Sequence, residues 1–240
     1  MIKLYWSPRS RSFTTLWLME ESGLPYERVL TDISTGAQKA PDFLKINPMG
    51  KVPALTDGYA ALGEAAAICA YIADRYPETK LAPAVTDPRR ARYLQWLFFC
   101  PSCIEPAIIQ IFTKIEIPTS TAAWGSATQV FDVLEAALAK GPWILGEEFS
   151  AADVTVGSGL NFAVRLFKMV PSRPAFDSRP LHGAAGVPAR GEDRGGIDGR
   201  FVRAHRLSTT VRKRWARFAL PTLRRHPIPT PSDHPASASG

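Results

Sequence analysis

The sequence predicts a two-domain α+β protein in which a βαβ-ββα unit precedes an all-α domain. Three observations lead to this prediction. Short strand-like apolar runs occur only before residue 64, and helical apolar periodicity separates them. After a Pro-rich segment at residues 80–87, only helical patterns remain. At 240 residues the chain is long enough for two modest domains with a real core.

The amino-terminal domain, residues 1–79, follows from its succession of segments. Gly23 is a helix stop, Asp57-Gly58 is a strong hairpin signal, and Pro77 closes the last helix. This order is the thioredoxin-like plan. The segments read as strand, helix, strand, short helix, hairpin and helix, at residues 2–6, 12–23, 26–31, 40–48, 51–62 and 64–76.

The all-α domain, residues 88–177, follows a linker at residues 80–87. Residues 89–113 and 121–140 have helical spacing of apolar residues, with aromatic side chains on one face. We expect two long helices there.

A third helix in this domain has a distinct start signal. Ser150 and Asp153 have the spacing of a capping box, in which each residue satisfies a backbone N–H near the other. We expect this helix to run to Pro171. Gly157 and Gly159 would each cost about 1 kcal/mol against Ala inside a helix. We therefore expect close packing at the glycines and a central position for the helix.

Composition indicates an ordinary globular protein. Hydrophobic residues make up 45% of the chain, and no apolar run approaches the length that spans a bilayer. The three cysteines suit a reducing compartment better than a disulfide framework. We expect a cytoplasmic protein that has no membrane partner and needs no metal ion.

The motif "CPSC", Cys100 to Cys103, could indicate a redox site. Such motifs act when they follow the first strand and cap its helix, whereas this one lies deep in the helical domain. We expect Pro101 to kink a core helix and the cysteines to be buried apolar residues.

Serines and arginines gather where the first strand ends and the first helix begins. In "LYWSPRSRSF", the hydroxyls of Ser7, Ser10 and Ser12 lie near the helix start, and Arg9 or Arg11 would add positive field. A helix N-terminus stabilises an anion, and a hydroxyl there can lower the pKa of a bound thiol. The loop has no cysteine, so the thiol would arrive on a ligand. The alternative is a solvated cap with Ser10 as the N-cap residue.

Two further places complete a ligand pattern. Val52-Pro53 lies at the entry to a strand, where a cis proline would turn the Val52 backbone outward to pair with an added peptide. Glu64 lies at a helix start, where its carboxylate can bind an ammonium group while helix N–H groups hold a carboxylate. A ligand with a thiol, a peptide backbone, an α-amine and an α-carboxylate fits, and glutathione has all four.

Residues 1 to about 177 resemble the soluble glutathione transferase family, of a bacterial type with a serine-based site. The matching stretches are "LYWSPRSRSF", "FLKINPMGKVPAL", "GEAAAICAYIADRYP" and "FSAADVTVGSGLNFAVRLFKMV". The resemblance implies a homodimer for detoxification that activates the thiol of glutathione, its co-substrate, toward a small, largely apolar electrophile. Ser7 would activate the thiol, with Ser10 and Ser12 as alternatives. The implied glutathione-binding residues are Arg11, Lys51, Val52, Pro53, Glu64 and Ala65.

The chain departs from the family pattern at two positions. Ala65 stands where the family usually has a serine that binds the γ-glutamyl carboxylate, and the lost hydrogen bond would cost about 1.5–3 kcal/mol. Arg11 stands where some bacterial relatives have a catalytic cysteine, which argues against their mixed-disulfide chemistry. A non-catalytic binding protein and a glutathione-dependent peroxidase or reductase are the alternative functions.

The charge of the chain is concentrated in its last segment. Residues 178–240 carry 12 Lys and Arg against 4 Asp and Glu, whereas residues 1–177 carry 17 against 18. A natural basic tail could bind nucleic acid or an anionic membrane. Its best patch would be Arg212, Lys213 and Arg214, but the segment lacks a recognisable module, and we expect no nucleic-acid partner.

A frameshift offers a simpler account of this tail. Plausible GC-rich codons for residues 179–191, read one nucleotide later, give "ARCTARPAFQRA", which is the helix that the family has at this place. We interpret residues 178–240 as out-of-frame translation and expect them to be mostly disordered. The helical domain would then lack its last helices. Apolar side chains of the capped helix, such as Phe162, Leu166 and Met169, would lose their cover, and we expect marginal stability.

Overall fold

The computed structural model describes residues 1–171 and 173–177. All of them belong to one compact unit. The predictions for residues 178–240 lie outside the described residues.

The amino-terminal half is built on a mixed four-stranded sheet with the strand order β2-β1-β3-β4. β1 pairs with β2 in parallel, and the β1–β3 and β3–β4 pairs are antiparallel. Gly58, with φ of 59°, turns the hairpin between β3 and β4, as the Asp57-Gly58 signal predicts. The strands are β1 (Ile2–Trp6), β2 (Tyr26–Leu30), β3 (Ala54–Asp57) and β4 (Ala60–Gly63).

Three helices cover this sheet. α1 and α3 pack against each other, while α2 lies against β3 and β4 and places the Phe43 ring edge-on to Tyr5. Gly23 ends α1 in the left-handed conformation. The predicted thioredoxin-like order is confirmed, with one further 3₁₀ turn at Ala37–Lys39 before α2 and another at Pro77–Thr79 after α3. The helices are α1 (Ser12–Ser22), α2 (Pro41–Ile46) and α3 (Ala65–Arg75).

The carboxy-terminal half contains only helices among the described residues. Two of its long helices contain π-helical segments, Cys100–Ile104 and Asn161–Leu166, which follow α4 and α7. A period of 3.6 residues does not reveal these wider turns, so the sequence predicted a kink at Pro101 but no π-helical segment. The helices are α4 (Arg90–Phe99), α5 (Glu105–Thr113), α6 (Ala127–Leu138), α7 (Ala151–Leu160) and α8 (Pro174–Asp177).

The start of α6 differs from the prediction of residue 121. Gly125 has φ of 72°, and the Ser126 hydroxyl accepts a hydrogen bond from the Gln129 N–H at 3.1 Å. Ser126 therefore acts as the N-cap residue, and α6 begins at Ala127.

The helical stretch Arg90–Thr113 contains the "CPSC" motif. Pro101 lies in its π-helical segment, where the missing proline N–H disturbs the regular hydrogen-bond ladder. Cys100 is buried as expected, Cys103 is only partly buried, and all three cysteines are free thiols. By length and composition alone, this is one helix of the described residues that could cross a membrane. Its buried side chains Tyr93, Trp96 and Leu97 belong to the protein core.

α7 is the central helix, as predicted. Ser150 and Asp153 form the capping box: the Ser150 N–H donates to Asp153 Oδ2 at 3.0 Å. The Ile144 N–H also donates to the Asp153 carboxylate, at 2.7 Å. A Cβ on Gly159 would lie 2.8 Å from the Cys100 sulfur. Gly159 therefore permits the close approach of α7 to the neighbouring helix that the sequence predicted.

α7 also joins the two halves. It packs against α1 and α3 of the amino-terminal half. The Thr14 and Ser158 hydroxyls share a buried hydrogen bond of 2.5 Å between α1 and α7. The helical half is thus in direct contact with the helix that follows the serine-rich loop.

Candidate functional site

The sheet register brings the predicted site residues to one edge of the sheet. Tyr5 pairs with Ala54, and Ala54 pairs with Gly63. Ser7 therefore follows the end of β1, Val52 precedes the start of β3, and Glu64 follows the end of β4, all at the same edge. Neighbouring strands lie about 4.8 Å apart, so a single short peptide can reach all three places.

The loop between β1 and α1 is held by its own serines. The Ser10 hydroxyl donates to the Ser7 carbonyl oxygen at 2.6 Å and lies 2.9 Å from the Ser12 hydroxyl. The Ser7 N–H donates to Ser12 Oγ at 3.3 Å. Arg9 has φ of 55°, the left-handed conformation that tightens the turn. The hydroxyls of Ser10 and Ser12 thus form hydrogen bonds within the loop.

The Ser7 hydroxyl is different. Among the described residues it has no hydrogen-bond partner, although only 4% of Ser7 is exposed. Its donor capacity is free at the strand end, beside the start of α1. Arg11, not Ser10, occupies the N-cap position of α1, and it makes no side-chain cap bond. The Ser12 N–H instead donates to Ser10 Oγ at 3.2 Å.

The second place is the segment before β3. The Val52-Pro53 peptide bond is cis, and the Val52 backbone forms no hydrogen bond to any described residue. Lys51 is exposed beside it, and Pro53 is buried. Sequence reasoning assigned no role to the buried Asn47, whose side-chain amide donates to the Lys51 carbonyl at 2.8 Å. The signal available in the sequence was only an asparagine four residues before Lys51.

The third place is the start of α3. Glu64 is exposed and has φ of 61°, a conformation that non-glycine residues seldom adopt outside strained or functional positions. The first N–H groups of α3 begin at Ala65 and lack intrahelical partners. A carboxylate side chain and a set of free N–H donors therefore lie side by side, which suits a ligand with both an ammonium and a carboxylate group.

Arg11 points toward the helical half. Its Nε lies 3.4 Å from Glu105 Oε1, and its guanidinium carbon lies 4.3 Å from the centroid of the Phe162 ring. Phe162 is therefore covered and Met169 is partly buried, against the expectation that they would lose their cover, whereas Leu166 is exposed as expected. Sequence reasoning missed Glu105. The available signal was that Glu105 is the one charged residue between Arg92 and Lys114.

The chemistry of the cysteines differs from that of the serine loop. Burial raises the pKa of the Cys69 and Cys100 thiols well above the usual range. The described residues contain no group of three or more His, Cys, Asp or Glu side chains that could hold a metal ion. At the sheet edge the available groups are a free hydroxyl, a free peptide unit, a carboxylate and helix N–H donors, which suit the binding of a thiol-bearing peptide.

Known proteins identify the class of protein to which this architecture belongs. Residues 2–74 match the family described as glutathione S-transferase, N-terminal domain, and residues 117–179 match glutathione S-transferase, C-terminal domain. Glutathione S-transferase 3 of Zea mays is 37% identical over 166 residues, 63% of this chain and 73% of that protein. The chain belongs to the soluble glutathione S-transferase family.

Other relatives extend the comparison. The disulfide-bond oxidoreductase YfcG of Escherichia coli (strain K12) is 30% identical over 215 residues, 81% of this chain and 99% of that protein. The glutathione transferase URE2P8 of Phanerochaete chrysosporium, solved with oxidized glutathione, has a TM-score of 0.61 at 28% identity, covering 74% of this chain and 85% of that one. A Pseudomonas fluorescens pf-5 glutathione transferase family member with two glutathione molecules bound has a TM-score of 0.57 at 28% identity. The match covers 68% of this chain and 77% of that one.

Proposed function

We propose that this protein is a glutathione transferase with a serine-type site, of the kind found in bacterial members of the family. The Ser7 hydroxyl donates a hydrogen bond to the glutathione sulfur and favours its thiolate form, while the thiol proton passes to solvent. The thiolate then attacks an electrophilic carbon of a small, largely apolar second substrate. A sulfur–carbon bond forms, and the leaving group departs with its electron pair.

The tripeptide would lie along the sheet edge as an added strand. The free Val52 backbone, which lies just before β3, would pair with its cysteinyl unit. Glu64 would bind the α-ammonium group, and the α3 N-terminus at Ala65 the α-carboxylate. The Lys51 ammonium offers a partner for the other terminal carboxylate.

One observation supports this proposal most strongly. Ser7 is only 4% exposed, and its hydroxyl has no hydrogen-bond partner among the described residues, at the edge that also presents Val52 and Glu64. The test is conjugation of glutathione to a chloro-dinitrobenzene, with release of chloride, together with calorimetry of glutathione binding. Turnover with binding supports the proposal. Binding without turnover toward several electrophiles would favour a non-catalytic binding protein.

A second candidate function is reduction of disulfides by glutathione. It is favoured by the relative named disulfide-bond oxidoreductase, which this chain matches over 99% of that protein's length. The glutathione thiolate would attack one sulfur of the disulfide and expel the other as a thiolate, and a second glutathione would resolve the mixed disulfide. Reduction of a small disulfide at a rate exceeding conjugation of every electrophile tested would favour this function.

We also propose that the reading frame shifts near residue 178. The match to the carboxy-terminal family domain ends at residue 179, where the composition of the chain changes. The shifted codons restore a family helix at that place. Sequencing the gene across codons 172–192 beside a close relative tests this proposal, and an identical frame in both genes would overturn it.

The folded body would act as a cytoplasmic homodimer with domain boundaries at residues 1–79 and 88–177. Leu94 and Phe98 are exposed on α4, although both are large and apolar. A second copy of the chain would remove them from water. Light scattering of the purified protein tests the dimer, and a monomer at micromolar concentration would contradict it.

A further inference from the structure

One ion pair links the serine loop to the helical half. Arg11 Nε lies 3.4 Å from Glu105 Oε1, with side chains 34% and 32% exposed. The Arg11 guanidinium also lies over the Phe162 ring, which is 6% exposed. The Arg11 guanidinium thus contacts two helical segments, through Glu105 and through Phe162. The Arg11 side chain therefore connects the serine loop to the helical half.

Arg11 lies between the two serines that shape the loop. The Ser10 and Ser12 hydroxyls lie 2.9 Å apart, and together they bind the carbonyl oxygen and the N–H of Ser7. A displacement of the Arg11 backbone would move both of these serines. It would therefore also move Ser7, whose hydroxyl makes no bond of its own to the described residues.

Glu105 reaches Arg11 from an unusual place. It is the first residue of α5, directly after the π-helical segment Cys100–Ile104. A π-helical turn shifts the register of all following side chains and occurs often at functional sites. Burial opposes ionisation of the Glu105 carboxyl, while Arg11 favours it. A half-buried carboxylate in an otherwise uncharged stretch is costly, which points to a function beyond packing.

We propose that Glu105 is a positioning residue for thiol activation: through Arg11 it holds the Ser10 and Ser12 hydroxyls that aim Ser7 at the glutathione sulfur. This inference rests on the proposed transferase function and deepens it. The helical half then has a share in activating glutathione as well as in binding the electrophile. Phe162 supports the same arginine from its other side.

The test compares Glu105→Gln and Glu105→Asp with wild type, using the full chain. Asp74→Asn is the matched control, because Arg90 and Asp74 also form an arginine–carboxylate pair between the two halves, at 2.7 Å, away from the serine loop. Three quantities are measured: the glutathione Kd by calorimetry, the apparent pKa of the bound thiol by the absorbance of its thiolate, and kcat/KM for conjugation.

We expect Glu105→Gln to raise the apparent thiol pKa and to lower kcat/KM by about tenfold to a hundredfold, the range for a catalytic group misplaced by about 1 Å. At a pH where the bound thiol is still protonated, the glutathione Kd should stay close to that of wild type. Glu105→Asp keeps the charge and should recover part of the loss, which also covers the case in which Glu105→Gln fails to fold. Asp74→Asn should leave the thiol pKa and kcat/KM unchanged.

Two results would overturn the inference alone: an unchanged thiol pKa and kcat/KM in both Glu105 variants, or an equal loss in Asp74→Asn. A wild-type protein that is folded and does not bind glutathione would instead overturn the proposed function, and this inference with it. The wild-type titration therefore separates the two failures.

Discussion

The Ser10 hydroxyl donates a 2.6 Å hydrogen bond to the Ser7 carbonyl oxygen. This bond gives the two serines different roles in the loop. The Ser10 hydroxyl donates its hydrogen within the loop and stabilises the loop conformation. The Ser7 hydroxyl remains without a partner among the described residues. The sequence left Ser7, Ser10 and Ser12 as alternatives, and this geometry favours Ser7 as the residue that contacts the sulfur.

Replacement of Ser7 tests this division. Ser7→Ala should lower kcat by about a hundredfold, the usual cost of removing one donor to a developing or bound anion. It should leave the glutathione Kd nearly unchanged at a pH where the bound thiol is protonated. Ser10→Ala is the comparison variant, and it should lower the thermal midpoint as well as activity because it loosens the loop. A full loss of activity in Ser10→Ala with normal turnover in Ser7→Ala would reverse the assignment.

Ala65 gives a gain-of-function prediction. Ala65→Ser places a hydroxyl at the first position of α3, where it can donate to the γ-glutamyl carboxylate. A hydrogen bond to a charged group is worth about 1.5–3 kcal/mol, so glutathione should bind tenfold tighter or more. Calorimetry measures the change. Ala70→Ser, later on the same helix, should have no effect on binding, and equal affinity in Ala65→Ser and wild type would contradict the placement of the carboxylate.

The capping box predicts a large loss of stability. Asp153 is 7% exposed and accepts hydrogen bonds from the Ile144 N–H, the Ser150 N–H and the Ser150 hydroxyl. Asp153→Ala should cost about 3 kcal/mol or more because buried donors lose their acceptor. Denaturant unfolding measures this change. Asp132→Asn is the control, since Asp132 pairs with Arg173 but its side chain is 58% exposed, and it should cost less than about 1 kcal/mol.

Gly159 reverses the usual effect of replacing a helical glycine. Gly→Ala inside a helix normally adds about 1 kcal/mol of stability. Here the new Cβ would lie 2.8 Å from the Cys100 sulfur and 3.1 Å from Ile104 Cγ2, and overpacking costs about 1–3 kcal/mol. Gly159→Ala should therefore destabilise the protein. The double variant with Cys100→Ala should recover part of the loss, and additive effects of the two substitutions would contradict the contact.

Glu105 makes stability depend on pH. Burial raises the pKa of its carboxyl from 4.5, Arg11 lowers it, and Glu64 adds to the rise. The folded protein thus keeps a proton that the unfolded chain has released. The contribution of Glu105 to stability is complete below the ordinary carboxyl pKa and is lost as the pH rises through the raised pKa.

Thermal unfolding of Glu105→Gln measures this dependence, because glutamine does not titrate. The thermal midpoint of the variant should rise relative to that of wild type as the pH increases from about 4 to about 7. A constant difference across this range would show that the Glu105 pKa is the same in the folded and unfolded chain.

The sequence predicted the elements that local patterns determine. β1 and the hairpin at Gly58 follow from apolar runs and turn residues, and the capping box at Ser150 follows from its spacing. The π-helical segments Cys100–Ile104 and Asn161–Leu166 were not predicted, because a single wide turn leaves the apolar pattern of the flanking helix almost unchanged. The start of α6 was missed because a glycine turn and the cap at Ser126 interrupt an apparently helical pattern.

The edge of the site was predictable, and its internal organisation was not. Ser7, Val52 and Glu64 come together because each lies at a strand end that the fold places at one edge. The bonds that occupy Ser10 and Ser12 depend on the left-handed turn at Arg9. The partnership of Arg11 with Glu105 joins residues far apart in the chain, and no local pattern reports such a contact.

Titration of the folded protein with glutathione, observed at once by calorimetry and by the absorbance of the thiolate, tests the central claim most directly. The account predicts binding at one site per chain, with a bound thiol pKa below the ordinary cysteine value of about 8.5, and a return toward that value in Ser7→Ala. No heat of binding up to millimolar glutathione, or a bound thiol pKa that Ser7→Ala leaves unchanged, would contradict it.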